Sequence, residues 1–203
     1  MKTKNALTKR VFLLPGIVSI YFIFGTPCIA QTRDEILQPE KVMDVIGIKE
    51  GMIIGELGAG KGYFTFKISN RVGNKGHVYA NDIKEDVLEY IHERCHQLHV
   101  ANITTILGKT DDPLFPQEKL DMVFMSYVFH MLEKPDELLG NIKASLKDGA
   151  TLVILDVEPE RIMRGPYPRN SNISEIAKGA GYELISKEDF IEGVDIFIFK
   201  VKE

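Results

Sequence analysis

The chain has 203 residues, 44% hydrophobic and 27% charged, with a formal net charge of −4 at neutral pH. That length gives one domain with a good core and falls short of two, and the composition is that of an ordinary globular protein rather than a disordered or fibrous one. The excess of acid over base is a poor surface for nucleic acid, which is held largely through neutralised phosphates.

The first thirty residues differ from the rest. "MKTKNALTKR" carries Lys2, Lys4, Lys9 and Arg10 with no acid, and "VFLLPGIVSIYFIF" has no charge. "TPCIA" then puts Cys28 and Ala30 at the −3 and −1 positions before Gln31. A basic start, an apolar run and a small-x-small site make a secretory signal, residues 1–30, ahead of a domain over 31–203. The alternative is an uncleaved membrane anchor, because Val11 to Ala30 is just long enough to span. Pro15, Gly16 and Pro27 suit the signal better, and Pro27 disfavours lipid modification of Cys28. The expected location is therefore outside the cytoplasm, periplasmic or secreted, or membrane-anchored if the segment stays. Cleavage removes four basic residues and no acid, giving −8, and leaves Cys95 as the one cysteine, so no intramolecular disulfide forms.

Beyond Gln31, apolar runs alternate with helical periods. Strands are expected at "MIIGEL" (52–57), "HVYAND" (77–82), "ITTILG" (103–108), "LDMVFMS" (120–126) and "TLVILDV" (151–157). Helices are expected near 61–72, 85–98 and 135–147, the last stopped by Lys147-Asp148-Gly149. This alternation predicts βαβ units and a parallel sheet with helices on both faces. A short helix near 172–180 follows, and then "LISKEDF" and "VDIFIFKVK" at hairpin spacing end the sheet with an antiparallel strand. The fold class is α/β, a doubly wound sheet with its ligand edge at the C-terminal strand ends.

"YIHERCHQLH" sets His92, His96 and His99 around Cys95. It lies in an amphipathic helix whose apolar face is Val87, Leu88, Ile91 and Leu98. The acid that would complete a known metal spacing is missing, so no metal centre is expected there.

"GELGAGKGYF" (55–64) follows the first strand. Gly58, Gly60 and Gly62 predict close approach of a ligand to the backbone. A dinucleotide loop spaces its third glycine one residue later, and Glu56 would repel a pyrophosphate at the helix start. It suits a cation.

This loop, an acid at the end of the next strand and the terminal hairpin closely resemble the class I S-adenosylmethionine-dependent methyltransferases, over about residues 40–203. The resemblance implies a seven-stranded Rossmann-like fold, S-adenosylmethionine as cofactor, and Glu56 near the cofactor's positive end with the glycines admitting its methionine part. It implies that Asp82, 26 residues after Glu56, takes the ribose hydroxyls, with Asn81 as fallback. A carboxylate suits two adjacent donors. Adenine falls to "LGKTDDPLF", where Lys109 stands in the place of the usual acid. Asp111 is the candidate, with Asp112 behind it, against a plain Asp-Pro turn with solvated carboxylates. "LDMVFMSYVFHML" resembles the fourth motif, which brings Ser126 to the cofactor and Ser126 to His130 along the transfer site. His130 is then the candidate base for an acceptor hydroxyl or amine, or else a residue that packs beside the cofactor and orients the loop.

The acceptor is not legible. Arg161, Arg164, Tyr167 and Arg169 in "EPERIMRGPYPRNS" suit an anionic or aromatic molecule, or are simply solvated. The Asn/Asp-Pro-Pro-aromatic motif of nucleic-acid amino-methylating enzymes is missing, as is an arsenite-type cysteine set. Asp156 stands alone, which argues against a metal-assisted catechol type. The expectation is methyl transfer to a small molecule, at oxygen or nitrogen. Two alternatives remain: a non-catalytic exported or anchored binding module on the same fold, and a nucleotide-dependent oxidoreductase.

Overall fold

Strand-forming runs bounded by glycine and polar turns pair into one seven-stranded sheet in this computed structural model, which describes residues 31–157 and 172–202. The expected leader (1–30) and the arginine-bearing segment 158–171 lie outside the described residues. Two short helices come first, α1 (Arg33–Leu37) and α2 (Pro39–Val45). Then β1 (Ile53–Leu57), α3 (Tyr63–Val72), β2 (His77–Asp82), α4 (Glu85–Leu98), β3 (Ile103–Leu107) and β4 (Leu120–Ser126) alternate. A 3-10 turn (Phe129–Met131) leads to α5 (Pro135–Lys143), β5 (Leu146–Val157), α6 (Ile173–Gly179), β6 (Tyr182–Ile191) and β7 (Val194–Val201).

The strand order is β3-β2-β1-β4-β5-β7-β6. β1 to β5 run parallel, and β7 pairs antiparallel with both β5 and β6. This is the doubly wound α/β sheet, mostly parallel with a C-terminal antiparallel hairpin, that the sequence predicts. The reversal of order between β1 and β4 opens a crevice at the C-terminal strand ends, where such sheets bind ligands.

Strand alternation sends neighbouring residues to opposite faces. Ile54, Met122, Phe124, Val153 and Leu155 pack with Phe64 and Ile68 of α3 and with Val42 and Met43 of α2. Leu57, Val123, Met125, Leu152 and Ile154 pack with Leu138, Leu139 and Ile142 of α5. Both faces are covered, so the central strands read as continuous apolar runs. Each such side chain, once buried, contributes roughly 1.5–3 kcal/mol relative to exposure.

The main difference from expectation lies at β5. The helix before it ends at Lys143, and the strand begins at Leu146, five residues before the expected Thr151. Leu146 pairs with Leu120 and Thr151 with Met122, so residues 147–150 bulge from the ladder. Gly149, at φ 74°, makes that bulge. Lys147-Asp148-Gly149 is thus turn chemistry inside a strand rather than a helix stop. α1 and α2 also lay outside the sequence expectations. Thr32 and Glu35 form a reciprocal capping box, and Pro39 occupies the first turn of α2.

Candidate functional site

Five loops converge at the C-terminal edge of the parallel strands. In spatial order they carry Asp111 after β3, Asp82 at the end of β2, Glu56 and the glycine loop at β1, Ser126 at the end of β4 and Asp156 near the end of β5.

Glu56 points to the face covered by α3 and is 3% exposed. Its Oε2 accepts a hydrogen bond from Thr65 Oγ1 of α3 at 2.5 Å. Burial pushes its carboxyl up to about 8; the Thr65 hydroxyl opposes that rise and the Asp82 carboxylate adds to it. A carboxyl so placed gains strongly from a cation. Thr65, fully buried in α3, is a partner that sequence reasoning missed. The only signal was a hydroxyl one turn into the helix that opens after the glycines.

The three glycines have three different reasons. At Gly58 (φ 71°) an added Cβ would lie 2.3 Å from Val128 Cγ2, so Val128 fills the space above it. At Gly62 (φ 80°), the residue before α3, a Cβ would meet Phe66 at 2.7 Å. Only Gly60 (φ 53°) has open space within 4 Å of where its Cβ would stand. The sequence expectation that all three admit a ligand therefore narrows to Gly60. Gly58 and Gly62 are required by packing.

Asp82 holds the same loop. Its Oδ2 accepts from the Gly60 N–H at 2.9 Å and its Oδ1 from the Lys84 N–H at 3.1 Å. Each carboxylate oxygen has two acceptor sites, so both can take a further donor. Asn81 is 3% exposed, and its Nδ2 donates to the carbonyls of Pro113 at 2.7 Å and Ile106 at 3.3 Å. That corrects its reading as a ribose fallback: it ties β2 to the loop after β3.

The "KTDD" loop is built by its backbone. Lys109 N donates to Asp112 O at 2.7 Å, and Leu114 N to Asp112 Oδ1 at 2.9 Å, which makes Asp112 a turn-forming residue. The Asp111 carbonyl accepts from Asn141 of α5 at 2.8 Å. The Asp111 carboxylate helps to hold the Lys134 ammonium above its usual range, after the larger effect of Glu137.

At β4 the chain turns sharply. Tyr127 adopts φ 57°, and its N–H donates to Leu155 O at 2.8 Å. Burial, and after it the Asp156 carboxylate, raises the Tyr127 phenol. The turn delivers His130 onto Asp156. His130 Nδ1 lies 2.7 Å from Asp156 Oδ1, and the His130 N–H donates to Oδ2 at 3.1 Å. Val157 N–H donates to Oδ1 at 2.8 Å, and Asp156 is fully buried. The short Nδ1–Oδ1 contact orients the imidazole ring against the carboxylate. Asp156, which sequence reasoning read as standing alone, lies against His130; 26 residues separate the two in sequence, and β4–β5 pairing brings them together.

Among the described residues, no group of three or more His, Cys, Asp or Glu is arranged to hold a metal ion. None of their helices is long and apolar enough to cross a membrane.

The family model described as a methyltransferase domain matches residues 48–188. The chain belongs to that family, the S-adenosylmethionine-dependent methyltransferases of class I. S-adenosylmethionine is the family's cofactor. A solved S-adenosylmethionine-dependent methyltransferase from Aquifex aeolicus is similar at 29% identity and a TM-score of 0.76, covering 84% of this chain and 93% of that one. The PH0226 protein from Pyrococcus horikoshii shares the fold at a TM-score of 0.70 and 15% identity, covering 84% of this chain and 90% of that one. Among curated relatives, the ubiquinone/menaquinone biosynthesis C-methyltransferase UbiE of Vibrio vulnificus is 28% identical over 115 residues, 56% of this chain. That match spans 44% of the relative's length, less than half.

The residues present fit such a cofactor. Glu56 offers a buried acid to a cationic ligand, Asp82 can take further donors, and the backbone at Gly60 opens onto free space.

Proposed function

We propose that this chain transfers a methyl group from S-adenosylmethionine to a small-molecule acceptor that gives up a proton in the reaction. Glu56 and the Gly60 backbone would hold the cofactor's charged methionine end, Asp82 the ribose, and Asp111 and Ser126 the remainder. The bound cofactor supplies a methyl group made electrophilic by the adjacent sulfonium. The chain's own part is to align the acceptor, screen the site and receive the proton. Alignment alone can supply much of the acceleration.

His130 is the proton acceptor in this reading. In this reading Asp156 orients the ring through Nδ1, Nε2 takes the proton, and the positive charge formed on the ring is stabilised by a buried carboxylate. The observation that carries the reading is the 2.7 Å contact between His130 Nδ1 and Asp156 Oδ1 beside the glycine loop. A purely structural histidine has little need of a fully buried carboxylate. The acceptor atom is a protonated oxygen or nitrogen or, as in the name of the Vibrio relatives, a carbon that bears hydrogen; each of these sheds a proton on methylation. Export after cleavage before Gln31 is part of the same proposal and rests on the leader-like segment alone.

Native mass spectrometry of protein purified from its source tests the reading, since it reads both the mature N-terminus and any bound cofactor. Calorimetry with S-adenosylmethionine, its demethylated product and a nicotinamide dinucleotide then separates the alternatives. Binding of the first two supports the proposal. Binding of the dinucleotide alone makes the chain an oxidoreductase, and binding of none makes it a non-catalytic module.

A further inference from the structure

We propose that His92 and His96 form a two-nitrogen chelate for a divalent late-transition metal ion, on an exposed flank of α4 and apart from the methyl-transfer site. α4 buries Leu88, Ile91 and Cys95 toward the sheet. The flank beside that face carries Glu89, His92 and His96, with His99 just past the helix end, all exposed and spaced by three or four residues. Exposed histidines on a helix are usually solvated separately. Here the two Nε2 atoms stand 3.2 Å apart, with ring centroids 4.7 Å apart and planes at 80°.

That separation has the bite of a chelate. Two metal–nitrogen bonds of about 2.0–2.1 Å closing on nitrogens 3.2 Å apart subtend an angle of about 100–106°, between square and tetrahedral values. The side chains need little rearrangement to accept the ion. The same two histidines, with Cys95 and His99, line an open hollow of about 300 Å³, which leaves room for water in the remaining coordination positions. Glu89 and Glu93 each precede one of the histidines by three residues and so lend negative charge to the face. Cys95 is 9% exposed and buried toward the sheet, so the donor set is the two exposed imidazoles rather than a thiolate. Imidazole suits zinc, copper and nickel and not magnesium or calcium. The catalytic-type spacing that the sequence lacks is not required for a clamp of this kind. It would fasten the last turns of α4, the helix packed behind β2 and β3.

The competing explanation of the short contact is one Nε2–H donating to the other ring's nitrogen. Zinc titration by calorimetry on the full chain, purified without a histidine tag and stripped with chelator, decides between them. One zinc ion should bind, and magnesium should not. His92→Gln and His96→Gln should each weaken zinc at least about tenfold, because either one abolishes the chelate advantage, while His99→Gln should leave it unchanged. Circular dichroism and S-adenosylmethionine affinity equal to wild type show that each variant is folded. Zinc should also raise the thermal midpoint of the wild type and not of the two variants. Failure of zinc to bind, affinity unchanged in either folded variant, or an equal loss on His99→Gln overturns the assignment.

Discussion

His130 and Asp156 are joined twice, side chain to side chain at 2.7 Å and backbone N–H to carboxylate at 3.1 Å, so the imidazole is held against the carboxylate. His130→Ala should lower turnover roughly 10²–10⁴-fold and leave cofactor affinity within a few-fold. Asp156→Asn, which keeps the shape but not the charge, should lower turnover in the same direction with the same small effect on binding. Release of demethylated cofactor in the presence of acceptor, set beside calorimetric affinity, checks both. Lost cofactor affinity with turnover intact would mean that the pair only packs.

Asp82 holds Gly60 and, in the proposed reading, also receives the ribose. Asp82→Ala removes two charge-assisted hydrogen bonds to the ligand, each about 1.5–3 kcal/mol, so affinity should fall roughly 100-fold or more. An affinity within threefold of wild type, by calorimetry on folded protein, would remove Asp82 from the site.

Glu56 makes cofactor binding depend on pH. Its folded pKa of about 8 stands above the ordinary 4.5, so folding takes up a proton between those values. Stability contributed by this group therefore declines as pH rises from about 4.5 to 8 and levels off above. A cation requires the carboxylate, so affinity for S-adenosylmethionine should rise with pH up to about 8, with a proton released on binding below it. Glu56→Gln should flatten the pH profile. It should also weaken S-adenosylmethionine more than the demethylated product, which lacks the sulfonium charge. Calorimetry in buffers of different ionisation enthalpy counts the proton, and a count of zero at pH 7 contradicts the assignment.

Gly58→Ala and Gly60→Ala should fail differently. Both residues have positive φ, which costs a side chain roughly 1–2 kcal/mol. Gly58→Ala adds a clash with Val128 and should lower the thermal midpoint more. Gly60→Ala meets nothing among the described residues and should mainly weaken the cofactor. Adding Val128→Ala should recover part of the stability lost in Gly58→Ala. Equal melting losses in the two single variants would contradict the packing role of Gly58.

Local pattern determined what the sequence made legible. The bounds of β2, α4 and β4 match the expected ones because uninterrupted apolar runs or helical periods end there in Asp82, Leu98 and Ser126. α1 and α2 are too short for periodicity to register, although Thr32, Glu35 and Pro39 carried their signals. Glu56, Asp82 and His130 were named from the glycine loop and the resemblance to family motifs, and all three lie along the strand-end edge. Thr65 and Asp156 were not, because their roles rest on contacts across elements, and the bulge at Gly149 depends on a register that only the paired strand reveals.

Val128 seated on Gly58 has a consequence for how substitutions combine. The loop that carries the cofactor-facing backbone and the loop that carries His130 share this contact, so neither can shift alone. Substitutions on the two loops should then show thermodynamic coupling rather than simple addition. In a double-mutant cycle pairing Val128→Ala with Gly60→Ala, the cofactor-affinity losses should depart from their sum by about 0.5 kcal/mol or more. Ligand recognition and proton transfer would thus be inherited as one mechanical unit, in which residues on either side constrain each other's variation.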